Sequence, residues 1–311
     1  MRNISRKLVL SIIAVVLTVF ALGSTTFAWF TLTNTSTVQP FSAEVIADSG
    51  IEISLGNHST VFNAPDEANW VTTLNTADIE AFILADPDFT NFDHVTTADG
   101  STFFTLGATA LTGTTQGYIE LPLSFRSNTS TVINWSNVTL TSPDYTWNSD
   151  STFTDSYQGS TRAVTAGDDI VVNAADAMRI SMISGSGYGS FVVGYENPSS
   201  DTNDVLGQLT NADLSDGIAV GEGSAGSTNY FYSKNTALPF GADDVTTLTT
   251  ITSLSTAQQV VTLSDVSATP EFGASYFGQI TVRIWLEGWD ADAYNAILSQ
   301  VVTTSFVFQG V

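Results

Sequence analysis

The stretch that most constrains the fold is Gly278–Trp289, GQITVRIWLEGW. Ile280, Val282, Ile284 and Leu286 alternate with Thr281, Arg283, Trp285 and Glu287. Successive side chains of a strand point to opposite faces, so this period of two predicts a strand with one apolar face against a core. The same alternation recurs along the chain. Ala43, Val45 and Ala47 carry it in FSAEVIAD, and Ile51, Ile53 and Leu55 carry it in IEISLG. Asp48-Ser49-Gly50 lies between them as a turn, which predicts paired or consecutive strands. Ile119, Leu121, Leu123 and Phe125 alternate in YIELPLSFRS. There Pro122 lacks an N–H and predicts an edge strand or an outward position. Val132–Thr141, Ile170–Val172, Met178–Met182, Val260–Leu263 and Phe306–Phe308 read as further strands.

Helical spacing is rarer. Ile79, Phe82 and Ile83 share a face in NTADIEAFILA, with Asn75 or Thr76 as cap and Asp86-Pro87 as stop. Asp290 is placed to cap a helix carrying Tyr294, Ile297, Leu298 and Val301. A short helix is expected near Val205–Leu209. Many short strands with turn signals and two or three short helices predict an all-β, mainly antiparallel protein. The expected architecture is a jelly-roll-like β-sandwich. One domain over 41–311 is expected, with loop-rich insertions at about 142–168 and 184–229.

Residues 1–28 stand apart. Arg2, Arg6 and Lys7 precede Leu8–Phe30, which carries no charge. An apolar run of roughly 20 residues is long enough to cross a bilayer, and positive residues before it direct the downstream chain outside. Thr26-Phe27-Ala28 has the small-x-small pattern that a signal peptidase cuts, here between Ala28 and Trp29. The segment is therefore an export helix, either a removable signal or a membrane anchor. Residues 29–40 form an extended spacer between it and the first strand.

Charge narrows the partners. Three of the eight basic residues and none of the 31 acidic ones precede Trp29, so the remainder holds 5 against 31, a net charge of −26. A surface of that sign excludes nucleic acid, whose phosphates require Lys and Arg. It equally disfavours anionic lipid. The chain has no cysteine, which removes thiol chemistry and Cys-based zinc sites.

No catalytic signature is complete. Gly221-Glu222-Gly223-Ser224-Ala225-Gly226 fits GxGxxG, but Asn229–Tyr232 after it reads as strand rather than helix, which predicts a loop. Asp48-Ser49-Gly50 lacks the second aspartate motif that an aspartic protease requires. His58 and His94 stand alone, with neither HExxH nor GxSxG. Asp168-Asp169, Asp201/Asn203/Asp204, Asn211/Asp213/Asp216 and Asp243-Asp244 offer loop oxygens of the kind calcium takes. None completes an EF-hand loop, and solvated acidity or turn capping is the alternative. No cofactor is expected beyond that structural calcium. Trp70, Trp135, Trp147, Trp285 and Trp289 are candidates to stack on sugars. For Trp285 the alternation favours packing between sheets.

Three stretches together resemble a known family. TTFAWFTLTN with AEVIADSGIEISLG, then IELPLSFRSN and AMRISMI, then GQITVRIWLEGWDADAYNAI are similar to the TasA/camelysin group of exported bacterial surface and matrix proteins. The resemblance covers both ends well and the middle thinly. The cysteine that related sequences carry near Tyr294 is missing. The resemblance implies a jelly roll, removal of the signal beside Ala28 and Trp29 by a signal peptidase, and an extracellular structural role. In such fibres the mature N-terminal segment fills a gap in the next subunit's sheet, so the first partner expected is the chain itself. A surface module that binds glycan or another ligand is the alternative, and an extracellular hydrolase a distant one. Some members of the group have carried a metallopeptidase label, which no residue here supports.

Overall fold

The computed structural model describes residues 41–47, 50–56, 69–89, 91–97, 99–105, 110–111, 116–157, 160–197, 226–236, 250–251, 257–269, 272–288, 290 and 292–311. The chain divides into Met1–Thr37 and a compact unit, Val38–Val311. The export helix and the Ala28–Trp29 junction lie outside the described residues.

Strands β1 (Phe41–Ala47) and β2 (Ile51–Leu55) bury Ala43, Val45, Ile51 and Ile53, as their alternation requires. They are consecutive and unpaired: each joins a different sheet. Gly50, at φ +96°, takes a conformation that glycine adopts without a Cβ penalty. Strand β3 (Thr73–Leu74) leads into helix α1 (Thr76–Ala85). The Asn75 side chain accepts the Asp78 N–H at 3.1 Å and so caps the helix, while Ile79 and Ile83 are buried. Short strands β4 (His94–Thr96), β5 (Phe103–Thr105) and β6 (Ala110–Leu111) follow.

The long strands β7 (Tyr118–Ser127) and β8 (Val132–Thr141) come next. The expected insertion at 142–168 instead holds β9 (Tyr145–Asn148), β10 (Phe153–Tyr157) and β11 (Ser160–Val164). Beyond it lie β12 (Asp169–Val172), α2 (Ala174–Ala177), β13 (Met178–Ser184) and β14 (Val192–Glu196). Residues 226–235 form helix α3 (Gly226–Asn235), where strand was expected. A strand would put Tyr230 and Tyr232 on one face, but Tyr230 is buried and Tyr232 exposed. The chain closes with β15 (Thr250–Ile251), β16 (Gln258–Thr262), β17 (Ser264–Asp265), β18 (Tyr276–Glu287) and β19 (Val302–Gly310). Where an α-helix was expected after Asp290 there is only a 3-10 turn, Asn295–Ser299, entered from Tyr294 without a side-chain cap. The predicted helix near Val205 lies outside the described residues.

The strands form a five-stranded sheet, ordered β16-β8-β19-β1-β3, a larger sheet centred on β18, and two antiparallel pairs, β10 with β11 and β9 with β12. In the larger sheet β18 lies between β13 and β7, and β2 adds beside β7. Most pairings are antiparallel; β1 with β19, β14 with β15, and β18 with β4 are parallel. Pro122 sits one residue past the β2 ladder, where its carbonyl accepts the Gly56 N–H. The inward residues of both sheets belong to one core, with the Phe125 and Phe308 rings edge to face at 4.9 Å. Each Leu, Ile or Phe buried there contributes about 1.5–3 kcal/mol.

The second face of β18 is covered too. Trp285 packs there against Phe103, Tyr118 and Val95, in a small core beneath β4 and β5 rather than between the two sheets. The Phe103 and Tyr118 rings stack at 4.1 Å. At the other end of this face Trp70, Phe272 and Phe277 form a third cluster, with the Arg126 guanidinium 4.7 Å above the Trp70 ring.

Candidate functional site: buried arginines and an edge strand

The described residues place most sequence candidates in the interior. His94 lies buried in β4, and its Nε2 has no hydrogen-bond partner among the described residues, so it activates no hydroxyl there. Burial holds the His94 imidazole below its ordinary proton affinity, against the opposing pull of Asp93 and a backbone hydrogen bond at Tyr294. Trp70, Trp135 and Trp285 are buried and offer no platform to a sugar. Trp147 is half-buried between Tyr230 and Tyr294, at 5.3 and 5.6 Å, where it ties β9 to α3 and the C-terminal turn. Asp168 accepts the Thr165 N–H at 2.8 Å and Asp169 pairs with Asn148, so both carboxylates brace their turn. Among the described residues no group of three His, Cys, Asp or Glu is placed to hold a metal. His58, Trp289, Asp48-Ser49 and the acidic sets at 201–216 and 243–244 lie outside the described residues, as does most of the GxGxxG stretch. A helix does follow that stretch, contrary to the strand expected.

Most of the scarce cations are held in ion pairs, and the arginines among them lie largely inside the protein. Arg179, on β13, meets Glu196 of β14 at 3.0 Å and Asp290 at 3.0 Å, all three with side chains at most 2% exposed. Burial alone would lower the Arg179 proton affinity, but Asp290, Glu287 and Glu196 outweigh it and keep the guanidinium charged. Glu287 accepts the Trp285 indole N–H at 3.0 Å. Arg126 pairs with Glu52 at 2.7 Å and donates to the Phe272 carbonyl. Arg283 pairs with its cross-strand neighbour Glu120 at 2.8 Å, and Lys234 with Asp150 at 2.6 Å. Four of the five cations beyond residue 28 are thus matched to carboxylates. Sequence spacing could not reveal most of this: apart from Arg179 and Glu196 on adjacent strands, the paired residues come from distant segments.

The two margins of the five-stranded sheet differ. At one, β1 pairs with β19 along seven residues and with β3 at Val45 and Ile46. Continuing that register toward Phe41 brings α1 beside β1, so a helix stands where a strand would extend. Covering a margin in this way protects it from pairing. At the other margin β16 pairs only with β8 among the described residues, with a shift of register between Gln259 and Val261. Beyond β8 it makes, among the described residues, one backbone hydrogen bond, from the Thr262 N–H to the Tyr188 carbonyl at 2.8 Å. Val260 and Val261 are fully buried, so this margin is anchored in the core. A core-anchored strand whose outer side carries, among the described residues, only the Thr262 contact can accept another strand along the rest of its length through main-chain hydrogen bonds.

No family model matches the chain, and comparison with curated proteins and with solved structures gives no match.

Proposed function

We propose that the protein is an exported structural subunit of a cell surface or extracellular matrix, similar to the TasA/camelysin group and built on a jelly-roll sandwich. In this reading the residues after the export helix pair with the β16 margin of a neighbouring copy. The observation that carries it is that margin: a strand with two fully buried valines and, among the described residues, one ladder partner.

Two further features support the reading. Trp29–Val38 has no charge, and Trp29, Phe30 and its threonines suit an extended strand. Strands β1 and β16 are separated by β19 and β8. At about 4.8 Å per strand they are roughly 14 Å apart. Donor and acceptor are then different surfaces, and pairing between unlike surfaces propagates head to tail instead of closing a dimer. The net charge of −26 opposes association, so salt promotes it by screening. The partners are another copy and the signal peptidase that separates Ala28 from Trp29; without that cut the subunit stays tethered to the membrane.

The test compares residues 29–311 with residues 40–311 by light scattering and electron microscopy across salt concentration. Only the longer version should form filaments, more readily at high salt. Equal behaviour of the two, or no polymer from either, contradicts strand addition by this segment.

A further inference from the structure

Beside the exit of α1 lies a cleft of about 260 Å³, lined by Pro87, Asp88, Asn91, Asp93, Gln116 and Gly117. Its frame is held from several directions. Phe92 and Gly117 form a parallel bridge, and the Asp93 N–H donates to the Gly117 carbonyl at 3.4 Å. Asp88 is fixed by its N–H on Asp86 Oδ1 at 2.9 Å, and Asp93 Oδ1 accepts the His94 N–H at 2.8 Å. The Asn91 amide donates to the Phe92 carbonyl at 2.8 Å. Below, the Phe89 and Phe92 rings meet edge to face at 5.4 Å. Gly117 has φ +78°, and a Cβ there would sit 3.0 Å from Val95 Cγ1 and 3.2 Å from Asp93 Cβ. The cleft therefore depends on a glycine at its floor.

The lining selects the class of ligand. Among the described residues no cation borders the cleft, and two carboxylates do, which excludes phosphates and other anions. Calcium takes 6–8 oxygens, commonly several from carboxylates. Here two carboxylates share the cleft with two side-chain amides, whose oxygens can ligate a cation but whose N–H groups need an acceptor, which a hydroxyl supplies and a bare ion does not. The space is far larger than a bare ion fills. It is also below the roughly 300–1,000 Å³ of a drug-sized apolar pocket. A neutral polyol meets all these conditions: carboxylates accept from its hydroxyls, Gln116 both donates and accepts, and the Pro87 ring offers a small apolar face. We propose that this cleft binds a single neutral saccharide residue, by hydrogen bonds rather than by stacking on tryptophan. The site is independent of the β16 margin, so a subunit that assembles would carry one on every copy.

The test titrates the intact, nitrogen-15-labelled protein with glucose, galactose and N-acetylglucosamine, and separately with calcium chloride, following side-chain amide signals by NMR. At least one sugar should shift the Gln116 and Asn91 amides saturably, with a Kd on the order of 1 mM. Gln116→Ala and Asp88→Asn should each weaken binding about tenfold at unchanged Tm, as expected for loss of a hydrogen bond to the ligand. Asp265→Asn, on an exposed strand elsewhere, should leave it intact. No saturable shift with any of the sugars up to about 100 mM, shifts produced by calcium alone, or sugar binding that survives both cleft substitutions would overturn the proposal.

Discussion

Arg179 and Asp290 approach to 3.0 Å with 2% and 0% of their side chains exposed. Asp290 lies just beyond the last residues of β18, so the pair fastens the end of that strand over β13. Asp290 caps no helix: one carboxylate oxygen meets the buried guanidinium and the other accepts the Asp292 N–H at 3.0 Å, closing a local turn. Removing one partner of such a pair strands the others in the interior. Arg179→Met should therefore cost about 3–5 kcal/mol, read as a lower urea midpoint. An unchanged midpoint would show that the buried carboxylates tolerate the loss.

Ile284 sits at the centre of β18, opposite Ile180 on one side and Ile119 on the other, and is fully buried. Ile284→Ala should cost about 2–5 kcal/mol through the cavity it leaves. Thermal and urea melts check this; a Tm within error of the parent would mean that the two sheets do not close on this residue.

The alternation in β18, β7 and β2 was legible because one face of each meets the common core, and burial on one face writes a period of two into the sequence. The cap of α1 was legible for a similar reason, since Asn75 acts on a neighbour three residues away. The second face of β18 was not. Trp285 and Glu287 are covered by β4 and β5, which come from a distant part of the chain and leave no local mark. Helix α3 was missed because, among its described side chains, only Asn229 and Tyr230 are buried, too few to show helical periodicity. That β16 is a margin results from strand order, which no single strand encodes. Asp88, Asn91 and Asp93 read only as loop, because Gln116 and Gly117 reach them through tertiary pairing.

His94 gives a pH dependence of definite sign. Burial lowers its proton affinity in the folded state below the ordinary value of 6.5. Below that pH the unfolded chain binds the proton more readily, so stability falls as pH drops from about 6.5 toward the depressed folded value. His94→Leu should flatten this part of the curve of Tm against pH. The same slope in the variant would assign the acid sensitivity to carboxylates instead.

Strand addition at β16 requires that residues near Thr33 lie against Gln259 of another copy. The chain has no cysteine, so Thr33→Cys and Gln259→Cys can be introduced singly and the two proteins mixed under mild oxidation. With residues 29–311 at high salt, strand addition predicts a disulfide-linked heterodimer of the two variants, formed faster than either homodimer. Placing both substitutions in one chain should then give a ladder of covalent oligomers on a denaturing gel. A ladder no stronger than that from a paired control at exposed Asp265→Cys, or closure within a single chain, would contradict strand addition at β16.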